Sequence, residues 1–469
     1  MSGHPDLRPY PEYRESGVPW LGAIPARWDV RRNGRLFAQR NETGFGDLPI
    51  LEVSLKTGVR VREFDNSKRK QVMSDRDKYK RAVKGDIAYN MMRLWQGAVG
   101  TAPVDGLVSP AYVVARPFAE VDSRYYAYLF RTDAYMNEVN KYSRGIVTDR
   151  NRLYWDEFKQ MPSPFPPTDE QRAIANFLDH HGQAVRRFIR NRRRLIEVLN
   201  EQKQAIIDRA ITRGLDPNVR LKPSGIDWLG DVPEHWELRR LKYLVQNINE
   251  QTSSLRNGDL YVALEHVESW TGRLALPDGE VSFDSQVKRF REGDILFGKL
   301  RPYLAKVTRP QQAGVCVGEF LVLRSSDATI LPSFLEQKLR SKQIIDLVNS
   351  STFGAKMPRA DWTFIGNVQI AFSPKHDEQA SILDRIARET ARLTAAIERT
   401  QREIALVQEY RTRLIADVVT GKVDVRHLAP DAVEAATEEP EPWAEGEDMI
   451  DGPDAGDLEP VEEMVDADD

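Results

Sequence analysis

No stretch of this 469-residue chain is laid out for bond-making chemistry. There is no Gly-x-x-x-x-Gly-Lys-[Ser/Thr] loop to cradle phosphates, and no Gly-x-Gly-x-x-Gly after a strand. Neither nucleotide hydrolysis nor a Rossmann-type methyl-donor site is therefore indicated. The Asn/Asp-Pro-Pro-aromatic signature of amino-methyltransferases and the His-Glu-x-x-His of zinc hydrolases are also absent. His180 and His181 are adjacent, so on a helix they point in different directions and make poor joint ligands. The single cysteine, Cys316, allows neither an internal disulfide nor a cysteine-based zinc site. The expected catalytic and metal-ligating sets are both empty. What remains is non-covalent chemistry, and its sign is basic. Residues 431–469 hold 17 Asp/Glu and no Lys or Arg, so the overall charge of −4 hides a balance of 67 basic against 71 − 17 = 54 acidic residues, or +13, over residues 1–430. An excess of that sign is the electrostatic footprint of a nucleic-acid binder, although many enzymes carry it too.

The elements that must position such residues come twice. Residues 16–32 read SGVPWLGAIPARWDVRR and residues 224–240 read SGIDWLGDVPEHWELRR, with nine of seventeen positions identical at an offset of 208. The same offset relates Gly85-Asp86-Ile87 to Gly293-Asp294-Ile295, Arg93 to Arg301, Gly106 to Gly314, Arg116 to Arg324, Pro166 to Pro374, and Asp169-Glu170-Gln171 to Asp377-Glu378-Gln379. A repeat this long is a domain with its connector, not a solenoid unit. Between frame positions the copies diverge: residues 41–80 and 249–288 share almost nothing. One scaffold carrying two surfaces suggests two different things to bind; drift in exposed loops is the plainer alternative.

Each copy opens on a Gly/Pro/Trp-rich strap, in which Trp20, Trp28, Trp228 and Trp236 are expected to pin the strap to its domain. Short apolar runs follow, such as 50–53, 87–89, 113–115, 261–264, 295–297 and 320–323, broken by Gly and charged turns, with helical runs at 123–142 and 332–349. The class expected is α+β. Each copy then closes on a long helix. Pro166-Pro167-Thr168-Asp169 is a start signal, and Ile174, Leu178, Val185, Ile189, Ile196, Leu199, Ile206 and Ala210 recur at helical spacing up to Gly214. Ile382, Ile386, Leu393, Ile397, Ile404, Val407, Leu414 and Val418 do the same up to Gly421. A helix of about 40 residues runs roughly 60 Å, and its apolar stripe must be covered. The matching stripe is the natural cover, giving an antiparallel coiled coil between 169–213 and 377–421 with pseudo-two-fold symmetry. Two helices each packed on its own domain is the alternative. The boundaries expected are a first domain at 1–168, helix and linker at 169–222, a second domain at 223–376, a second helix at 377–427, and a disordered acidic tail at 428–469. No run approaches the roughly 18 apolar residues of a membrane span, and residues 1–16 lack a signal-peptide pattern. A soluble cytoplasmic protein is expected.

The Trp-Leu-Gly…Pro-x-x-Trp opening, the Gly-Asp-Ile turn and the Pro…Asp-Glu-Gln helix entry, each present twice, closely resemble the specificity subunits of type I restriction–modification systems over about residues 10–427. The resemblance implies two tandem target-recognition domains, each reading half of a split, asymmetric double-stranded DNA site. It implies a coiled-coil spacer that sets the gap and docks two modification (methyltransferase) subunits, with restriction/translocase subunits joining. This chain would bind no cofactor; S-adenosylmethionine, ATP and Mg would sit on the partner subunits. The implied role is non-catalytic. A specificity-like subunit of a modification-only or other phage-defence system, and a two-headed protein-binding adaptor, are the alternatives. The candidate DNA contacts then lie in two kinds of segment. After the Gly-Asp-Ile strand come Asn90, Arg93 and Trp95 in the first copy and Lys299, Arg301 and Tyr303 in the second. In the polar loop before the long helix come Lys141, Ser143, Arg144, Arg150 and Arg152, and Lys356 and Arg359. Arg93 and Arg301 share a repeat position, which favours a scaffold or phosphate role over base reading. Lys68-Arg69-Lys70 is a third basic run. The run Arg186-Arg187…Arg190…Arg192-Arg193-Arg194 on the first long helix suits DNA phosphate or an acidic partner face. Ordinary solvated charge is an equal reading of each candidate.

Overall fold

The computed structural model describes residues 7–55, 57–62, 76–144, 151–276, 286–352 and 357–428. The chain divides into two compact units, residues 1–188 with 405–469, and residues 189–404. Each unit contains one copy of the repeat, the beginning of the long helix that follows that copy, and the end of the other long helix.

The core of the first unit is an antiparallel four-stranded sheet in the order Phe37–Arg40, Tyr112–Pro117, Ile87–Asn90, Val99–Thr101. The second unit repeats it as Val245–Ile248, Phe320–Ser325, Ile295–Gly298, Val307–Thr308. Registers agree as well as order: Val114 faces Arg40 and Val322 faces Ile248, while Tyr112 faces Asn90 and Phe320 faces Gly298. Two short helices pack on each sheet, Ser123–Phe130 with Asp133–Tyr142, and Pro332–Leu339 with Lys342–Ser350. Each expected single helical run is thus broken in two. Thr132 accepts the Tyr135 N–H and so starts a new helix where the run would have continued.

The diverged stretches fold differently. In the first unit, Leu51–Ser54 pairs with Gly58–Val61, and Lys80–Ala82 with Gly106–Val108. In the second, Gln251–Thr252, Val287–Phe290, Gly314–Cys316 and Leu260–Val262 form one sheet whose last pair is parallel. The offset also wanders. Asp122 and Leu331 cap corresponding helices, 331 − 122 = 209, while Phe165 pairs with Asp29 and Phe372 with Glu237, 372 − 165 = 207. Single-residue changes in the connections produce this, where loops absorb them at little cost.

The long helices span Thr168–Arg213 and His376–Val419. In the first unit, Ile174, Phe177 and Leu178 share a core with Leu414 and Val418. In the second, Ala210 and Ile211 share one with Ile382 and Ile386, and Arg192 meets Glu403 at 3.3 Å. In both, the start of one helix meets the end of the other, so the helices pair antiparallel. The expected stripe is buried at its ends but only half-buried at Ile196, Leu199, Ile206, Leu393, Ile404 and Val407. A single neighbouring helix cannot cover a whole stripe.

Candidate nucleic-acid interface

The frame residues build a brace that explains their recurrence. Trp28 and Trp236, both buried, donate their indole N–H to Glu170 (2.9 Å) and Glu378 (3.1 Å) in the first turn of a long helix. Glu170 also accepts from the Tyr10 hydroxyl at 2.6 Å and pairs with Arg27 at 3.1 Å. Burial opposes ionisation of Glu378, yet donors from Ser373, Trp236 and His235 outweigh it and hold its carboxyl below the ordinary range. The neighbouring Gln171 and Gln379 are buried clamps. Each amide oxygen takes the backbone N–H that starts a domain helix, Asp122 or Leu331, and each amide N–H₂ serves a carbonyl before its own long helix, Pro166 or Ser373. Gly421 must be glycine: its φ is 80°, and a Cβ there would lie 2.4 Å from Pro25 and 3.0 Å from Trp28.

The Gly-Asp-Ile turn is a second brace. Asp86 and Asp294 are buried and accept the backbone N–H of Val83 and Arg291. Asp86 is neutralised by Arg40 at 2.7 Å and Asp294 by Arg324 at 2.6 Å, so the arginine comes from adjacent, non-equivalent strands of the two sheets. A buried carboxylate needs a cation, but either neighbouring strand can supply it.

From these turns the strands Ile87–Asn90 and Ile295–Gly298 lead to the first group of candidates. Asn90 is half-buried and its amide oxygen accepts the Met92 N–H, while the Trp95 indole donates to the Met92 carbonyl. Both therefore shape the turn. Arg93 at its crest is exposed. In the second unit Lys299 is half-buried, and Arg301 and Tyr303 are exposed. Arg301 (φ 50°) and Ala305 (φ 48°) both adopt the left-handed conformation; Gly97, at the position matching Ala305, does so without strain at φ 90°. Among the described residues the Arg93, Arg152 and Arg301 guanidiniums make no hydrogen bond or ion pair.

The pre-helix loops supply the second group. Lys141 pairs with Glu138 at 2.7 Å, and the Ser143 hydroxyl donates to Val139 O, closing its helix. Arg144 and Arg152 exchange two backbone hydrogen bonds, at 3.0 and 2.9 Å. Arg150, Lys356 and Lys68-Arg69-Lys70 lie outside the described residues. The two groups come together in each unit. Leu153 N donates to Met91 O at 2.9 Å in the first. Ala360 N donates to Lys299 O at 3.0 Å and Arg301 N to Pro358 O at 2.9 Å in the second. One cationic surface per unit results: exposed Arg93 and Arg144 with half-buried Arg152 in the first, and exposed Arg301 and Arg359 with exposed Tyr303 and half-buried Lys299 in the second. The long-helix arginines are partly committed, Arg192 to Glu403 and Arg194 to Glu197.

The carboxylates within these surfaces were not legible in the sequence. Glu157 holds Arg144 at 2.5 Å, and Glu319 holds Arg359 at 2.8 Å. They come from non-equivalent places in the two copies, so the repeat does not reveal them. Cys316 is buried and its thiol is pushed up to about 12 by that burial, which leaves it unreactive. Among the described residues no group of three or more His, Cys, Asp or Glu could hold a metal ion, and no helix is long and apolar enough to cross a membrane.

No family model matches the chain. It is 22% identical over 432 residues to the putative type I restriction enzyme MjaX specificity subunit of Methanocaldococcus jannaschii, covering 87% of this chain and 96% of the relative. It is 23% identical over 288 residues to the MjaVIII specificity subunit of the same organism, covering 58% of this chain and 64% of that relative, a little under two thirds of its length. Among solved structures it resembles a chain from work on complex assembly and conformational transition of the type I R-M system, with TM-score 0.58 and 16% identity over 84% of this chain and 98% of that one. In sequence the chain is similar to type I restriction enzyme specificity subunits, and in fold to a chain of the type I R-M system.

Proposed function

We propose that this chain is the sequence-specific DNA-binding subunit of a type I restriction–modification complex, acting in the cytoplasm on a bipartite, asymmetric double-stranded site. The observation that carries the reading is the convergence, in each repeat, of the turn after the Gly-Asp-Ile strand with the pre-helix loop. Each convergence yields a surface with two exposed guanidiniums, Arg93 and Arg144 or Arg301 and Arg359, the chemistry that neutralises phosphates and reads base edges. The frame under the two surfaces is shared while the strands beside them differ, so two unlike half-sites are the natural target.

In this reading the chain does no bond-making. Modification subunits would carry S-adenosylmethionine and the methyl transfer, and restriction/translocase subunits would carry ATP and Mg. The long helices would space the half-sites and dock the modification subunits. Support for docking comes from apolar side chains left exposed on them, Leu195 and Val198 on one and Leu406 on the other.

The test is methylome sequencing of cells that express the modification partner with and without this chain. Loss of one split, asymmetric methylated motif with the chain's removal is expected; an unchanged methylome refutes the reading. A purified chain that transfers methyl groups or cleaves DNA by itself would refute the non-catalytic role.

A further inference from the structure

The arginines on the two surfaces fall into two classes. Arg93 and Arg301 occupy the same repeat position, are exposed, and make no side-chain hydrogen bond or ion pair among the described residues. Arg144 and Arg359 are also exposed, at 77% and 60% of their side-chain surface, but each is ion-paired with a carboxylate more buried than itself: Glu157 at 12% and Glu319 at 30%. Their backbones are fixed as well. Arg144 pairs with Arg152 through two hydrogen bonds, and Arg359 bridges to Leu300 beside the strained Arg301 turn.

A surface ion pair stabilises a fold by little, so stability is a weak reason for either carboxylate. Its effect on the arginine is larger. A guanidinium has five N–H donors in a rigid fork, and a carboxylate on one edge fixes its plane and leaves the remaining donors facing outward. It also lowers the net charge presented to a phosphate. Held in one orientation, the fork matches the O6/N7 pair of guanine in the major groove, which requires two donors in a set geometry. Phosphate binding requires only charge, which the unheld arginines supply.

Resting on the DNA-binding reading above, we propose that Arg144 and Arg359 are the guanine-reading residues, one for each half-site, with Glu157 and Glu319 as their positioning residues. Arg93 and Arg301 contact phosphate. Because the two carboxylates come from different places in the fold, the guanines read stand at different positions of the two half-sites.

The experiment is selection of a randomised duplex library by the full chain assembled with its modification subunits, followed by affinity measurements on the selected consensus at several salt concentrations. Arg359→Ala is expected to lose a guanine preference at one base pair of one half-site. Affinity for the consensus should fall about 5- to 150-fold, the equivalent of about 1–3 kcal/mol per bidentate contact, with the salt slope unchanged. Glu319→Gln, which keeps the shape and the arginine, should relax the same base pair and no other. Arg144→Ala and Glu157→Gln should do so in the other half-site. Arg301→Ala should weaken all sequences alike and reduce the salt slope by about 0.9. Uniform weakening and a reduced slope in Arg359→Ala, or an unchanged consensus in Glu319→Gln, overturns the assignment while leaving DNA binding intact. A wild-type chain that selects no consensus overturns the DNA-binding reading itself, and this inference with it.

Discussion

Lys338 offers a sharp test of how the second domain is fastened to its helix. It is 3% exposed, and its ammonium donates to the carbonyl of Ile211 in the last turn of the first long helix at 2.6 Å. The corresponding carbonyl of Val419 is served by the Tyr125 hydroxyl at 2.8 Å, a neutral donor. Burial pushes the Lys338 amine down from 10.5 to about 7, with Asp208 opposing weakly. Between those two pH values the unfolded chain holds a proton that the folded chain does not. Stability therefore rises with pH from about 7 to about 10.5, levels off above, and is lowest below 7. At about 1.4 kcal/mol per pH unit the whole span amounts to about 5 kcal/mol, and the part between pH 7 and 9.5 to about 3 kcal/mol. Lys338→Met removes this slope. It also leaves the Ile211 carbonyl without its donor, a cost of about 1–3 kcal/mol that does not vary with pH. Urea unfolding followed by tryptophan fluorescence, at pH 7 and 9.5 for both proteins, isolates the difference, since all other groups titrate alike. Parallel pH dependences in wild type and Lys338→Met would refute the reasoning.

Three further outcomes follow from the same contacts. Glu170→Ala strands the Tyr10 hydroxyl and the Trp28 indole around a fully buried site and should destabilise by about 3–5 kcal/mol, whereas Glu378→Ala, on a partly exposed carboxylate, should cost about 1–2 kcal/mol; denaturant midpoints compare them. Ala305→Gly relieves a left-handed alanine where the first copy already has Gly97, and after the entropy cost of glycine should raise stability by about 0.5–1 kcal/mol in a thermal melt. Asp424 N donates to Arg8 O at 2.7 Å, at the place matching the one where the first long helix runs on into the second strap. A chain opened within residues 215–220, with residue 428 linked to residue 7, should therefore keep its far-ultraviolet circular dichroism and its urea midpoint; loss of either contradicts the equivalence.

Sequence alone determined the double frame, because the residues that build it recur at nearly fixed spacing. The straps, the Gly-Asp-Ile turns, the Asp-Glu-Gln helix entries and the periodic stripes on the long helices are local patterns, and local patterns survive in one dimension. What a frame residue does was not legible there. Trp28 finds Glu170 some 142 positions away, and Asp86 takes its cation from one strand while Asp294 takes it from another. Only the tertiary structure decided that the strand-end turn and the pre-helix loop form one surface, since their backbone hydrogen bonds join residues about 60 apart. It alone placed Glu157 and Glu319 against Arg144 and Arg359, and a buried lysine against a helix end. The reason is physical. Periodicity records which face of an element is buried, whereas the pairing of charges and donors depends on which elements meet, and that is settled by packing.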